Sequence, residues 1–276
     1  MTIQQTIEDL GTQLTSCIAM CRARMRSKEV HSLRTYTRRL EAVLRMVKTD
    51  HRRAKKAIKA MGALLDLLGK VRKAAGLVRD SDVQRKIVSR IGRQWVKDPE
   101  DERRDEITED IERLSKRVER ERKTHARGLR KVLSAIELPL QERLVDCEDK
   151  LASLPPGNTA PYQHAEHWLA ASKHHDRFQK PKDLHEFRKE TKGVRYVAEL
   201  QPELRSSIAL ARDLRSMNDA IGSWHDYEML AAEARSWIGK KSPLTKAIIQ
   251  QRNRRWKIAL RMVDSMKKKH AALFAS

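Results

Sequence analysis

Apolar residues recur at three- and four-residue steps along most of the chain, the spacing that puts them on one face of an α-helix. Ile7, Leu10, Leu14, Cys17 and Ile18 mark a first helix over about 2–27. A second is predicted over about 30–48 and a third over about 51–76, with Ile58, Met61, Leu64, Leu65, Leu68 and Val71 as its stripe. A fourth follows over about 79–95. The acidic stretch DPEDERRDEITEDIE (98–112) suits a helix start, because acids complement the positive N-terminal end. The pattern then runs through Leu114, Val118 and Leu129 to about Leu133, is broken at Pro139, and resumes to about Leu154. Beyond it, helices are expected over about 162–178, 183–200, 203–221, 224–238 and 243–274. Pro181, Pro202 and Pro243 stand near helix starts. No period-two segment argues for a strand.

LPPGNTAP (154–161) is the best linker in the chain. One domain over 1–276 is therefore expected, with a helical half over about 1–153 and another over about 162–276. Composition agrees with an all-α fold: aromatic residues are 4%, glycines number ten, and Ala, Leu, Glu, Lys and Arg dominate. Cys17, Cys21 and Cys147 are too few for a disulfide framework, so they read as thiols of a reducing compartment. The polar start MTIQQTIEDLGTQ gives no signal peptide, and no apolar run reaches bilayer length, so no membrane insertion is expected.

Charge changes the picture most. The net charge is +22, with 59 Lys and Arg against 37 Asp and Glu. That much like charge is self-repulsive and points to an anionic partner. The charge is also patterned. VHSLRTYTRRLEAVL (30–44) and LHEFRKETKGVRYVA (184–198) align at an offset that sets His31 on His185, Arg34 on Arg188, Thr37 on Thr191 and Arg38 on Lys192. At about 100° per residue, His31, Arg34, Arg38 and Arg45 fall within an arc of roughly 60°. His185, Arg188, Lys192 and Arg195 span roughly 80°. Apolar residues lie opposite in both. Glu41 and Glu199 each stand four residues from an arginine, Arg45 and Arg195, as ordinary ion pairs or as orienting groups.

A second repeat joins LGKVRKAAGLVRDSDV (68–83) to LRSMNDAIGSWHDYEM (214–229). Gly76 meets Gly222, and Asp80 meets Asp226. Each Gly, three residues and then Asp reads as a tight turn with an acid capping the next helix. The order basic helix, long helix, Gly, Asp, helix occurs twice, which implies an internal duplication.

With these motifs the chain resembles the CHAD family, the conserved-histidine α-helical domain. The resemblance rests on His31, Arg34, Arg38 and Arg39, on His185, Arg188, Lys192, Arg195 and Tyr196, and on Gly76, Arg79 and Asp80 with Gly222 and Asp226. It covers nearly the whole chain. Three positions depart from the pattern: Glu41 where another Arg is frequent, Gly193 where a basic residue is common, and His225 in place of the Arg of Arg79–Asp80. The resemblance implies two four-helix bundles related by a pseudo-twofold axis. It also implies non-catalytic binding of inorganic polyphosphate in a basic groove between the halves, without a cofactor. His31, Arg34, Arg38, Arg39, Arg45, Arg79, His185, Arg188, Lys192 and Arg195 are then the candidate binding residues, and a cytoplasmic place at polyphosphate granules follows. The histidines either donate to phosphate or pin the helix entry.

Three other readings compete. Arg252, Arg254, Arg255, Lys257 and Arg261 on the last helix would suit a nucleic-acid backbone, with Trp256 stacking on a base; Trp256 reads better as a core anchor beside Ile258 and Leu260. His225–Asp226 and the His164, His167, His174 and His175 group suggest a metal-dependent phosphohydrolase, but no third ligand can be named. A scaffold role for the acidic 98–112 segment is the third. No phosphate-binding Gly loop is present, since GKKS (239–242) lacks the earlier Gly.

Overall fold

In the computed structural model, which describes residues 2–95, 104–155, 157, 159–172, 178 and 180–273, the apolar stripes are realised as eight α-helices. These are α1 (Ile3–Ala23), α2 (Ser27–Asp50), α3 (Lys55–Trp95), α4 (Arg104–Ala152), α5 (Pro161–Ala170), α6 (Pro181–Ala198), α7 (Arg205–Trp237) and α8 (Pro243–Lys269). No strand occurs among the described residues. The expected all-α class holds.

Three expected breaks do not occur. α3 runs unbroken through Gly76, α7 through Gly222, and α4 through Pro139. Pro139 is exposed, as is Ala135 one turn earlier, so the carbonyl that the proline leaves unpaired can be hydrated. The flanking Ile136 and Leu140 are buried and keep the helix on the core. The two glycines have a different cause, which lies in the basic cluster.

Helices α1 to α4 pack on one another, as do α5 to α8 in sequence, and the described residues among 154–160 lie outside any helix. Across the halves α2 packs on α6, α3 on α7 and α4 on α8. α4 also touches α7. A large core crosses the divide: Leu33, Leu40 and Leu44 of α2 share it with Phe187, Val194 and Val197 of α6. Each such fully buried side chain contributes on the order of 1.5–3 kcal/mol. A smaller second core joins the C-terminal parts of α3 and α7 to the starts of α4 and α8, through Ile87, Leu114, Leu230 and Ile248.

The three cysteines are free and buried, as expected for core thiols. Trp256 packs on the main core, edge-on to Trp224 at 4.9 Å, while Ile258, expected beside it in the core, is 39% exposed. Of the acidic segment, 98–103 lie outside the described residues. Glu109 and Glu112 are exposed and pair with Arg113 and Lys116 four residues on. Asp110 is instead buried and accepts a 2.5 Å bond from Ser242, whose hydroxyl caps the start of α8. That acid is structural.

Candidate functional site

α2 and α6 each turn a leucine-, valine- or phenylalanine-bearing side to the core. Their basic side chains come near enough to act on one another's charge. Thr37 and Thr191, aligned by the sequence repeat, are both fully buried and bond back to the carbonyls of Leu33 and Phe187, at 2.7 and 2.9 Å.

Arg34 and Arg188 lie at the centre. The guanidinium of Arg34 lies over Gly76 so closely that a Cβ there would sit 2.5 Å from Nη1. Arg188 lies over Gly222 in the same way, and a Cβ on that glycine would sit 2.7 Å from Nη2. The glycines are helical gaps that admit an arginine, and they are not turns. The aspartates are not caps either. Asp80 and Asp226 follow their glycines by four residues, one helical turn, and so occupy the same face. Burial lowers the pKa of Arg34, and Asp80 opposes the shift. Burial does the same to Arg188, and Asp226 opposes it. The repeated Gly–Asp motif is a slot with a counter-charge beyond it.

Around this pair the cations crowd one another. Burial, then the charge of Arg34, brings the Arg38 guanidinium down to about 10, still charged at neutral pH. Burial and the charges of Arg188, Arg38, Arg34 and Arg195 hold the Lys192 ammonium down to about 5. At an effective dielectric of about 20, two unit charges about 6 Å apart repel by roughly 3 kcal/mol. A protein fold gains nothing from such crowding, whereas an anion relieves it. Polar atoms are also under-used: Arg38 Nε, His185 Nδ1 and Asn218 Nδ2 are buried without a hydrogen-bond partner.

The histidines differ. His31 is exposed, its pKa lowered by burial of part of the ring and by Arg79, Arg34, Lys86 and Lys192. His185 is half-buried and stacks on His225 at 4.3 Å. Burial, with His185 and Arg188 next, pushes His225 down to about 3. Arg79 takes part through its charge on His31, Arg34 and Asp226.

The other candidates have partners or settings of their own. Arg39 bonds Glu199 at 3.1 Å, and Arg195 approaches the same carboxylate at 3.5 Å while stacking over Tyr196 at 4.5 Å. Arg215 is a third partner of Glu199, at 2.8 Å. Arg39 and Arg195 therefore join a clasp between the halves. Glu41 pairs with Arg72 of α3 at 2.9 Å, and Arg45 is left exposed. Arg45 lines a cleft of about 950 Å³ between α2, α3, α5 and α6, which Arg38 and Lys192 also line. Its remaining basic walls, Lys48, Arg52, Arg72 and Lys189, are not marked by the sequence repeat, and neither are Lys86 and Asn218.

Among the described residues no group of three or more His, Cys, Asp or Glu is placed to hold a metal ion. His164 is buried and bonds Asp50 at 3.0 Å, and His174 and His175 lie outside the described residues. No helix among the described residues is long and apolar enough to cross a membrane.

The slot gives a direct expectation. Replacing a helical glycine by alanine ordinarily stabilises by up to about 1 kcal/mol. At Gly128, where nothing lies within 4 Å, that gain should be seen in chemical denaturation. Gly76→Ala and Gly222→Ala should keep the fold, because only the end of a flexible arginine must move, yet weaken anion binding several-fold by displacing Arg34 or Arg188.

A family model described as the CHAD domain matches residues 10–235. A crystal structure of the CHAD domain from the plant Ricinus communis superposes with a TM-score of 0.66 at 16% identity, covering 100% of this chain and 92% of that one. No curated protein matches the chain.

Proposed function

Because the chain belongs to the CHAD domain family, a family associated with polyphosphate, we propose that it binds inorganic polyphosphate without catalysis, in a basic groove where α2 meets α6. The observation that carries this reading is the convergence of Arg34, Arg38, Arg188 and Lys192 from the two halves, with buried donors left unpartnered. A condensed phosphate chain carries about one charge per unit, and guanidinium forks match its oxygens in paired hydrogen bonds. His31, His185 and Arg79 extend the groove at the N-terminal ends of the basic helices. Arg45 extends it along α2.

We read the two halves as copies of one helical unit related by a pseudo-twofold axis. The paired slots at Gly76 and Gly222 and the packing of α2 on α6 support that reading. Duplication would double the length of polyanion in contact. The place of action that fits is the cytoplasm, at polyphosphate granules.

Binding of labelled long-chain polyphosphate, followed by anisotropy, tests the proposal. If about four cations engage phosphates, the affinity should fall roughly 50-fold between 50 and 200 mM salt, by the counterion-release slope of single-stranded polyanions. RNA should displace the chain poorly at near-physiological salt. Easy displacement by RNA, or phosphate released from the chain with added Mg²⁺ or Mn²⁺, would overturn it.

A further inference from the structure

The cleft beside the groove is chemically unlike the groove. Arg45, Lys48 and Arg52 stand at three- and four-residue steps along α2 and its end, and among the described residues none has an ion-pair partner. With Arg38 and Lys192 they make one basic wall. The rest of the lining includes carbon, from Ile58 and Leu65 of α3, Trp168 of α5 and Val194 of α6, and three carboxylates that already have partners, Glu41 on Arg72, Glu186 on Lys189 and Glu190 on Ser172. Ile58, Leu65 and Trp168 are only partly buried against the main core, so part of their apolar surface meets the cleft.

A bare phosphate chain gains nothing from that half. Setting its charges against indole and aliphatic carbon strips their water without a replacement. An anion with a flat apolar group gains on both sides, phosphate on the guanidinium groups and ring on carbon. At about 950 Å³ the cleft has the volume of a small-molecule site.

We propose that the cleft is a nucleotide site, taking a nucleoside polyphosphate with its phosphates on Arg38, Arg45 and Lys192 and its base against Trp168, Ile58 and Leu65. The assignment rests on the anion-binding reading of Arg38 and Lys192 and adds a second ligand class to it. A nucleotide held there shares Arg38, Arg45 and Lys192 with the groove, so it competes with polyphosphate for them.

Calorimetry on the full chain with ATP and with tripolyphosphate, both free of Mg²⁺, separates the two halves of the cleft. ATP should bind about tenfold more tightly, the scale of one base stacked on an aromatic side chain. Trp168→Ala should abolish that advantage and leave tripolyphosphate affinity unchanged, which also reports that the variant is folded. In the unmodified protein, saturation-transfer NMR should show the adenine H2 and H8 protons in contact, independently of any variant. Tripolyphosphate binding as tightly as ATP, or octyl phosphate binding as tightly as ATP, would overturn the assignment. Long-chain polyphosphate, measured alongside, distinguishes the failures. If it binds while ATP gains nothing over tripolyphosphate, the nucleotide site alone falls; if none of the three binds, the polyphosphate reading falls with it.

Discussion

The double variant Arg34→Gln, Arg188→Gln should lose polyphosphate affinity by about a hundredfold or more while keeping its fold. A hydrogen bond to a charged partner is worth about 1.5–3 kcal/mol, and two are removed, at about 1.4 kcal/mol per tenfold. Glutamine is the informative replacement. Glutamate would set a third and a fourth carboxylate near Asp80 and Asp226, which already face these arginines. The fold should tolerate glutamine, because removing two members of a mutually repelling cluster relaxes Arg38 and Lys192. A single cooperative thermal melt, together with lost binding, is the signature of charges kept for a ligand. The control is Lys257→Gln, Lys268→Gln on α8, two exposed lysines outside the groove. If both pairs cost the same with the folds intact, binding is diffuse electrostatics over a body of net charge +22 and no defined groove exists.

The slots mark the boundary of what sequence carries. The two basic faces are a property of single helices, so a 100° step per residue is enough to find them. The repeat of Gly and Asp is visible for the same reason, but its meaning is not. A glycine followed by an aspartate four residues later has the local chemistry of a turn and cap, and also that of a helix making room for an arginine. Only the neighbour decides between them, and the neighbours of Gly76 and Gly222 lie on other helices, at Arg34 and Arg188. Pro139 is a similar case, since its tolerance depends on which way the helix faces.

Arg39 and Arg195 teach the same point from the other side. Periodicity groups Arg195 with the basic face, yet Glu199 gathers Arg39, Arg195 and Arg215 from three helices into one clasp. No spacing rule along one helix can show such a meeting. The cleft is the extreme case: its walls come from α2, α3, α5 and α6, and Trp168 carries no local mark of a site.

Polyphosphate affinity should also rise as pH falls, and Lys192 gives the sign and the window. In the free protein, burial and the neighbouring arginines hold its pKa down to about 5, so it is neutral at pH 7. A polyanion cancels the field of Arg34, Arg38, Arg188 and Arg195 and raises that pKa toward the ordinary value of about 10.4. The bound state therefore holds a proton that the free state lacks. Affinity should climb by up to about tenfold per pH unit as pH falls from about 9 toward 6. Burial and the same charges also hold His31, His185 and His225 below the ordinary histidine range, and an anion acts on them in the same direction. Calorimetry at pH 7 in two buffers of different ionisation enthalpy should count close to one proton taken up per site. Lys192→Met should remove it and flatten the profile. Stability of the free protein must run the opposite way. The unfolded chain binds a proton at Lys192 that the fold excludes between about 5 and about 10.4, so this residue makes the fold more stable as pH rises across that window. A crowded structural lysine would share the second trend without the first. Opposite slopes for stability and affinity, both lost in the methionine variant, would identify Lys192 as a residue held uncharged until the anion arrives.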